Sequence, residues 1–395
     1  MTGRLYHADA MLRRFDAELR AVTTFDGEPA IVLDATAFYP EAGGQLGDRG
    51  ALGALEVRDT QELDDGTIVH LVADSPALSS LVPGDRITGE LDWIRRRQHM
   101  AQHTAQHLLS GALESCAAAP TASARLGETT LTIDVARDRI PESELAAAEA
   151  LANDLIDDDL AIRAWFPDPA ELASLRLRRD PKVAAGVRVV AIGDFDFSPC
   201  GGTHCARTSQ LGAIRITGTE RYKGMTRLTF TAARRGRSEL FERDRLLRSL
   251  ATQFSCSPAE VPAAIDKLRR DAAAAGDELT ATRSRLASMI VAQLIGPSGS
   301  DAAVVATVPG DPELLKSVAA KLVAAGRDAL LCTTEDASTT VVLARAAGSS
   351  LDCGSLMKRL AAHGGGRGGG RAERAEGRIP FHVADWTALI ATLTD

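Results

Sequence analysis

Hydrophobic and polar positions alternate in short runs over residues 1–90, as in Pro29 to Asp34, Thr67 to Ala73 and Arg86 to Leu91. Asp26-Gly27, Asp65-Gly66 and Pro83-Gly84-Asp85 stand between them. A period of two broken by turn residues predicts a small β-barrel or sandwich, and we expect the barrel. At Asp92 the period lengthens. Ile94 to Ala117 has no proline, one glycine and apolar residues at helical spacing, which predicts a helix. Beyond Pro120 the pattern predicts a strand over Glu128 to Val135 and a helix over Glu142 to Ile156, with Pro141 near its first turn. Strands are expected over Val187 to Ile192, Ala213 to Ile216 and Thr226 to Ala232.

Residues 238–292 carry no strand signal, and Ser255-Cys256-Ser257-Pro258 divides them into two predicted helices. After Gly296-Pro297-Ser298-Gly299-Ser300, strand, helix, strand, strand and helix alternate over Ala302–Val308, Glu313–Ala325, Ala329–Thr333, Thr339–Ala344 and Asp352–Ala362. The expected fold class is α+β. It comprises an N-terminal β-barrel at 1–90, a mixed α+β domain at 91–237, a helical spacer at 238–296 and a small α/β domain at 297–395.

Composition narrows the function classes. The 395 residues exceed one ordinary domain. No apolar run approaches the roughly 20 residues of a membrane span, and the N-terminus lacks an apolar signal core, so a cytoplasmic protein is expected. Six scattered cysteines favour free thiols or metal ligation over a disulfide framework. A net charge of −8 argues against a general nucleic-acid coat. Arginines nevertheless cluster at Arg95 to Arg97, Arg176 to Arg179, Arg234 to Arg237 and Arg367 to Arg378, read as solvated runs or as local basic faces.

The predicted helix carries His99, His103 and His107 four residues apart, near one stripe of its surface. Far along the chain, Cys200-Gly201-Gly202-Thr203-His204 sets a thiol and an imidazole around two glycines that permit a tight turn. His103, His107, Cys200 and His204 together offer three nitrogens and one sulfur, a set suited to tetrahedral zinc, one ion per chain. Four protein ligands suit a structural ion, whereas a catalytic one needs a further position. Both readings stay open.

At these motifs the chain resembles a family. Thr36-Ala37-Phe38-Tyr39-Pro40-Glu41-Ala42-Gly43-Gly44-Gln45, then Gly47-Asp48, is similar to the glycine-rich signature of alanyl-tRNA synthetase editing domains and of freestanding alanyl-tRNA editing proteins of the AlaX type. Asp92-Trp93, Arg95-Arg96, His99-Met100 and the run from His103 to Leu109 resemble its first zinc motif, and Cys200 to His204 its second. Gly364 to Arg371 resembles the glycine-rich segment of the synthetase's C-terminal domain. The resemblance implies a trans-acting deacylase of tRNA for alanine that wrongly carries serine, with glycine as a further substrate.

It also implies roles. Gln45 would bind or position the aminoacyl end, Thr121 would sense the seryl hydroxyl, and Thr36, Gly43 and Gly44 would lie against the tRNA end. Arg367 and Arg371, in a glycine-rich loop, would meet tRNA phosphates, and His99 would support a ligand imidazole. Ala42 stands where the family often has a glycine, and Arg367 interrupts the later glycine run. A homodimer through the spacer or the last domain fits the same picture. Threonyl-type editing shares the paired ligands, but Phe38 to Gln45 and the last domain favour the alanine branch. A zinc-stabilised RNA-binding module without catalysis is the reading from another class.

Overall fold

The computed structural model describes residues 2–181, 183–296, 303–335 and 338–394. Two compact units divide it, Met1–Ser249 and Leu250–Asp395. The expected break at 297–300 lies outside the described residues. Among the described residues no helix is long and apolar enough to cross a membrane.

The first unit opens with a closed barrel. Its strands are β1 (Arg14–Phe25), β2 (Glu28–Leu33), β3 (Gly50–Leu52), β4 (Leu55–Glu62), β5 (Ile68–Val72) and β6 (Arg86–Leu91), closed in the order β1-β2-β5-β4-β3-β6. Asp26 and Gly27, at φ 48° and 84°, supply the positive angles of a tight hairpin between β1 and β2. In β1, Phe15, Ala17 and Leu19 point inward between exposed or half-buried polar residues. They pack with Ile31, Leu33, Leu52 and Val57 in the barrel core. The sequence reading missed β1 and β4, because charged residues interrupt their apolar positions, and β3, because it is only three residues long.

Helix α1 (Trp93–Ala117) follows, with the Asp92 carboxylate accepting from the Arg95 amide at its N-cap. Leu108, Leu109 and Leu113 are fully buried, and so, nearly, are the histidines one turn before them. The helix packs on α2 (Glu142–Asp157) and on a four-stranded sheet. That sheet comprises β7 (Thr121–Leu126), β8 (Leu131–Val135), β12 (Ile214–Tyr222) and β13 (Met225–Ala232), ordered β12-β13-β8-β7. The strand expected from Glu128 therefore starts only at Leu131. Gly127 and Thr130 close a turn before it through a 3.0 Å hydrogen bond. Between α2 and β12 lies an antiparallel sheet of β9 (Ile162–Trp165), β10 (Val189–Ile192) and β11 (Asp196–Pro199). Helices α3 (Ala233–Gln253) and α4 (Val261–Ile295) follow, separated at the predicted Ser-Cys-Ser-Pro break.

In the second unit, β14 (Ala303–Thr307), α5 (Pro312–Ala324), β15 (Asp328–Glu335), β16 (Ser338–Ala344) and α6 (Cys353–Gly364) appear as expected. Beyond them come β17 (Arg367–Gly370), β18 (Arg374–Ile379) and α7 (Trp386–Thr394), with sheet order β14-β15-β16-β18-β17. The glycine-rich segment is thus an edge strand and not a loop. Its glycines serve packing: a Cβ on Gly368 would lie 2.8 Å from Gly377 Cα and 3.0 Å from Met357 Cγ of α6.

One buried ion pair joins barrel loop to helix. Arg96, fully buried, donates from Nε to Asp48 Oδ2 at 2.8 Å, from Nη2 to the same oxygen and to Ala37 O, and from Nη1 to Ala10 O at 3.0 Å. Asp48 Oδ2 also accepts from the Tyr39 amide at 2.7 Å. Arg96 therefore leaves the group of solvated arginines. Replacing it with methionine would strand a buried carboxylate, a cost of about 3–5 kcal/mol for a broken buried pair. Guanidinium unfolding of Arg96→Met is expected to show a midpoint lowered accordingly. An unchanged midpoint would mean the pair contributes no net stability.

Candidate metal centre

His103 and His107 sit one turn apart on α1, and Cys200 follows directly after β11. The turn from Cys200 to His204 can reach the helix only because Gly202 has no side chain, since a Cβ there would lie 2.2 Å from His103 Cε1. Arg188 holds the turn from beneath. Its Nη1 donates to Gly202 O at 2.7 Å and to Cys200 O at 3.1 Å, while Cys200 N donates to Arg188 O at 2.9 Å. His103, His107, Cys200 and His204 thereby bring one ligand atom each within 4.8 Å of one another. These four could hold a metal ion.

The donor geometry suits one. Cys200 Sγ stands 3.4 Å from Nε2 of both His103 and His204. A tetrahedral zinc with bonds of about 2.3 Å to sulfur and about 2.1 Å to nitrogen sets such atoms about 3.6 Å apart. Each imidazole also has a distinct neighbour at Nδ1. Gln45 Oε1 lies 2.8 Å from His103 Nδ1, Thr104 Oγ1 lies 3.1 Å from His204 Nδ1, and Asp196 Oδ2 lies 3.6 Å from His107 Nδ1. Outer partners of this kind fix ring orientation at metal sites. Asp196 is itself held by Arg178 Nε at 2.6 Å and Ser198 Oγ at 3.0 Å.

Electrostatics act differently on the ligands: burial alone would lower the His107 imidazole, but Cys200 and Asp196 raise it above its usual value. Burial raises the Cys200 thiol, but the three imidazoles outweigh burial and hold it well below its usual range. Burial, assisted by His103, pulls His204 down to about 3. Burial also raises the Asp196 carboxyl, yet His107 and Arg178 bring it below the ordinary value. A thiolate is the form of cysteine that binds divalent zinc.

The expected site residues fall into three groups. Gly43, Gly44 and Thr121 line a cavity of about 610 Å³ together with His103 and Cys200. Thr121 Oγ1 donates to Ser110 Oγ at 2.8 Å, and Gln106 Nε2 donates to the same oxygen at 2.8 Å. Gln45, expected at the aminoacyl end, lies beside the cage. It is fully buried, donates from Nε2 to Thr203 Oγ1 at 2.8 Å, and sets Oε1 against His103 Nδ1. Thr36, expected against the tRNA end, is fully buried, with Oγ1 2.8 Å from His70 Nε2 and accepting from the Phe38 amide. His99 is buried, but it is not among the Nδ1 neighbours of the ligand rings. Arg367 and Arg371 are exposed on the second unit.

Sequence reading missed Arg188, Asp196, Thr104 and Ser110. Arg188 had a signal, a charge inside the apolar run Val187 to Ile192. Thr104 and Asp196 are small polar residues whose ligand partners lie 100 and 89 positions away, and Ser110 is a helix serine with no motif around it.

Residues 187–229 match the family model described as the threonyl and alanyl tRNA synthetase second additional domain, and residues 8–95 match one described as tRNA synthetases class II (A). The alanine–tRNA ligase of Thermococcus kodakarensis is 33% identical over 391 residues, covering 96% of this chain and 42% of the ligase. That of Haloquadratum walsbyi is 30% identical over 376 residues, covering 91% and 40%, and that of Pyrococcus abyssi 30% over 392, covering 96% and 42%. The chain therefore spans less than half the length of these relatives. The C-Ala domain from Aquifex aeolicus alanyl-tRNA synthetase aligns with 23% of this chain and 86% of its own at 16% identity, with a TM-score of 0.21. Aligned to alanine–tRNA ligases along nearly its whole length, and carrying the second additional domain at 187–229, the chain is an alanyl-tRNA synthetase relative.

Proposed function

We propose that the chain is an aminoacyl-tRNA deacylase acting in trans, which hydrolyses tRNA for alanine wrongly charged with serine and, second to it, glycine. The observation that carries this reading is the convergence of a ligand cage, a glycine loop and Thr121 on one cavity of about 610 Å³. An aminoacyl ester is activated, so its hydrolysis needs chiefly a positioned water and stabilised charge. Zinc, if held by His103, His107, Cys200 and His204, would supply positive charge at the site.

The chain's own groups do the rest. Gln45 and Thr104 hold two of the three rings by hydrogen bonds at Nδ1, and the Asp196 carboxylate faces the third at 3.6 Å. Gly43 and Gly44, at φ 59° and 88°, bring bare backbone to the cavity wall, where a terminal ribose could approach closely. Thr121 Oγ1 donates its hydrogen bond to Ser110 and lines the cavity, which leaves its oxygen to accept from a hydroxyl donor. A seryl hydroxyl meets that acceptor and an alanyl methyl does not, the kind of contrast that a hydrogen-bonding site discriminates best.

Two outcomes test the reading. Supplied with tRNA charged by another enzyme, the protein should remove serine far faster than alanine, and His103→Ala should abolish the reaction. In the same assay Thr121→Val should reduce kcat/KM for serine by about 1–3 kcal/mol, one buried hydrogen bond. An unchanged serine to alanine ratio would move the sensing role elsewhere. For the metal, elemental analysis should find one zinc per chain, and Asp196→Asn should weaken zinc retention about 10–100-fold in chelator competition. Undiminished retention would remove Asp196 from the support of His107.

A further inference from the structure

We infer that the outer face of the sheet β12-β13-β8-β7 is the track for the single-stranded RNA end entering the cavity. The inference rests on the reading of tRNA as substrate. A second cavity, about 720 Å³, lies over this face, and Ser123 and Ala124 line both it and the metal-centre cavity. Strand β7 thus runs from Thr121 at the chemistry into the groove. At about 3.3 Å per residue, Arg125 lies about 13 Å beyond Thr121.

The groove carries built-in cationic chemistry. Arg125 is exposed and has no acidic partner among the described residues. Arg227 is fixed by Asp134 through bonds of 2.7 and 2.9 Å and stacks its guanidinium 3.6 Å over the Tyr222 ring. Lys223 lies 4.9 Å over the same ring and occupies the tip of the hairpin between β12 and β13. There Lys223 has φ 51° and Gly224 φ 76°, the angles for which Asn-Gly is the preferred pair. A lysine at that position meets a left-handed backbone that L side chains disfavour by about 1–2 kcal/mol. Its retention there gives the groove a charge at local conformational cost.

The acidic groups facing this surface are largely engaged. Glu128 is bound by Arg95 and Arg49, Asp134 by Arg227, and Glu220 approaches Arg227 at 3.9 Å. In a chain of net charge −8, a groove with one unpaired arginine and a lysine at its mouth fits a phosphodiester backbone better than an acidic peptide, which would find no second row of donors.

The test uses the full chain with Arg125→Gln and Lys223→Asn combined, since both side chains are exposed and Asn suits the turn. The probe is an uncharged RNA hairpin with a four-nucleotide single-stranded 3′ end, compared with the same hairpin blunt-ended. The variant should bind the tailed hairpin about 10-fold more weakly at low salt. The slope of log affinity against log salt should flatten by about 1.4, two single-strand contacts at about 0.7 each. The blunt hairpin should lose much less. Equal affinity and slope for the tailed probe overturn the proposal, as does an equal loss for the blunt one. Because the RNA is uncharged, this result stands whether or not the protein deacylates. Wild-type protein that binds as described yet leaves seryl-tRNA intact would sink the deacylase reading alone.

Discussion

The pairing of Arg96 with Asp48 is the constraint on which the candidate site depends. Burial pushes the Asp48 carboxyl up and the guanidinium of Arg96 opposes it, so the two charges are tenable only together. Their union fixes the loop after the glycine signature to the first full turn of α1. Gln45, three residues before Asp48, then lies against His103, seven residues after Arg96. Loop and helix are thereby set with respect to each other before any ligand arrives. Arg95, one residue away, adds a bond to Gly47 O at 3.1 Å and a bridge to Glu128, so the same helix end also holds the turn leading into β8.

How much of this was legible in the sequence follows from the range of each interaction. The four cage residues were readable because each pair is local, one turn apart on a helix or four apart around glycines. Their neighbours were not. Gln45 meets His103 across 58 positions and Thr104 meets His204 across 100, and nothing in a polar residue's type announces a partner that far away. The family resemblance pointed to Gln45, but not to its contact with His103. Thr36 shows the opposite case: it sits in the signature, yet its hydroxyl is consumed inside the barrel by His70.

The fold divided along similar lines. Helices α1 and α2 were expected because their apolar periodicity runs through many turns, and α3 and α4 because residues 238–292 carry no strand signal. Strands β7, β9 and β11 escaped notice because each is six residues or shorter and is stabilised by a neighbour strand more than by its own pattern. The glycine-rich edge strand was read as a loop for a related reason. Composition alone suggests freedom, whereas Met357 lying against Gly368 and Gly377 makes the absence of side chains a packing requirement.

The separation of the two ligand pairs has a mechanical consequence. Cys200 and His103 meet across 97 positions. An ion gripping both acts as a removable cross-link, and closing a loop of about 100 residues restricts an unfolded chain by roughly 4–5 kcal/mol in the chain-entropy model of such links. Inside that loop lie β7, β8 and the strands beneath the turn. An ion would therefore tether the wall that carries Thr121 and Arg125 even though it touches neither, and its departure would slacken cavity and groove as one piece.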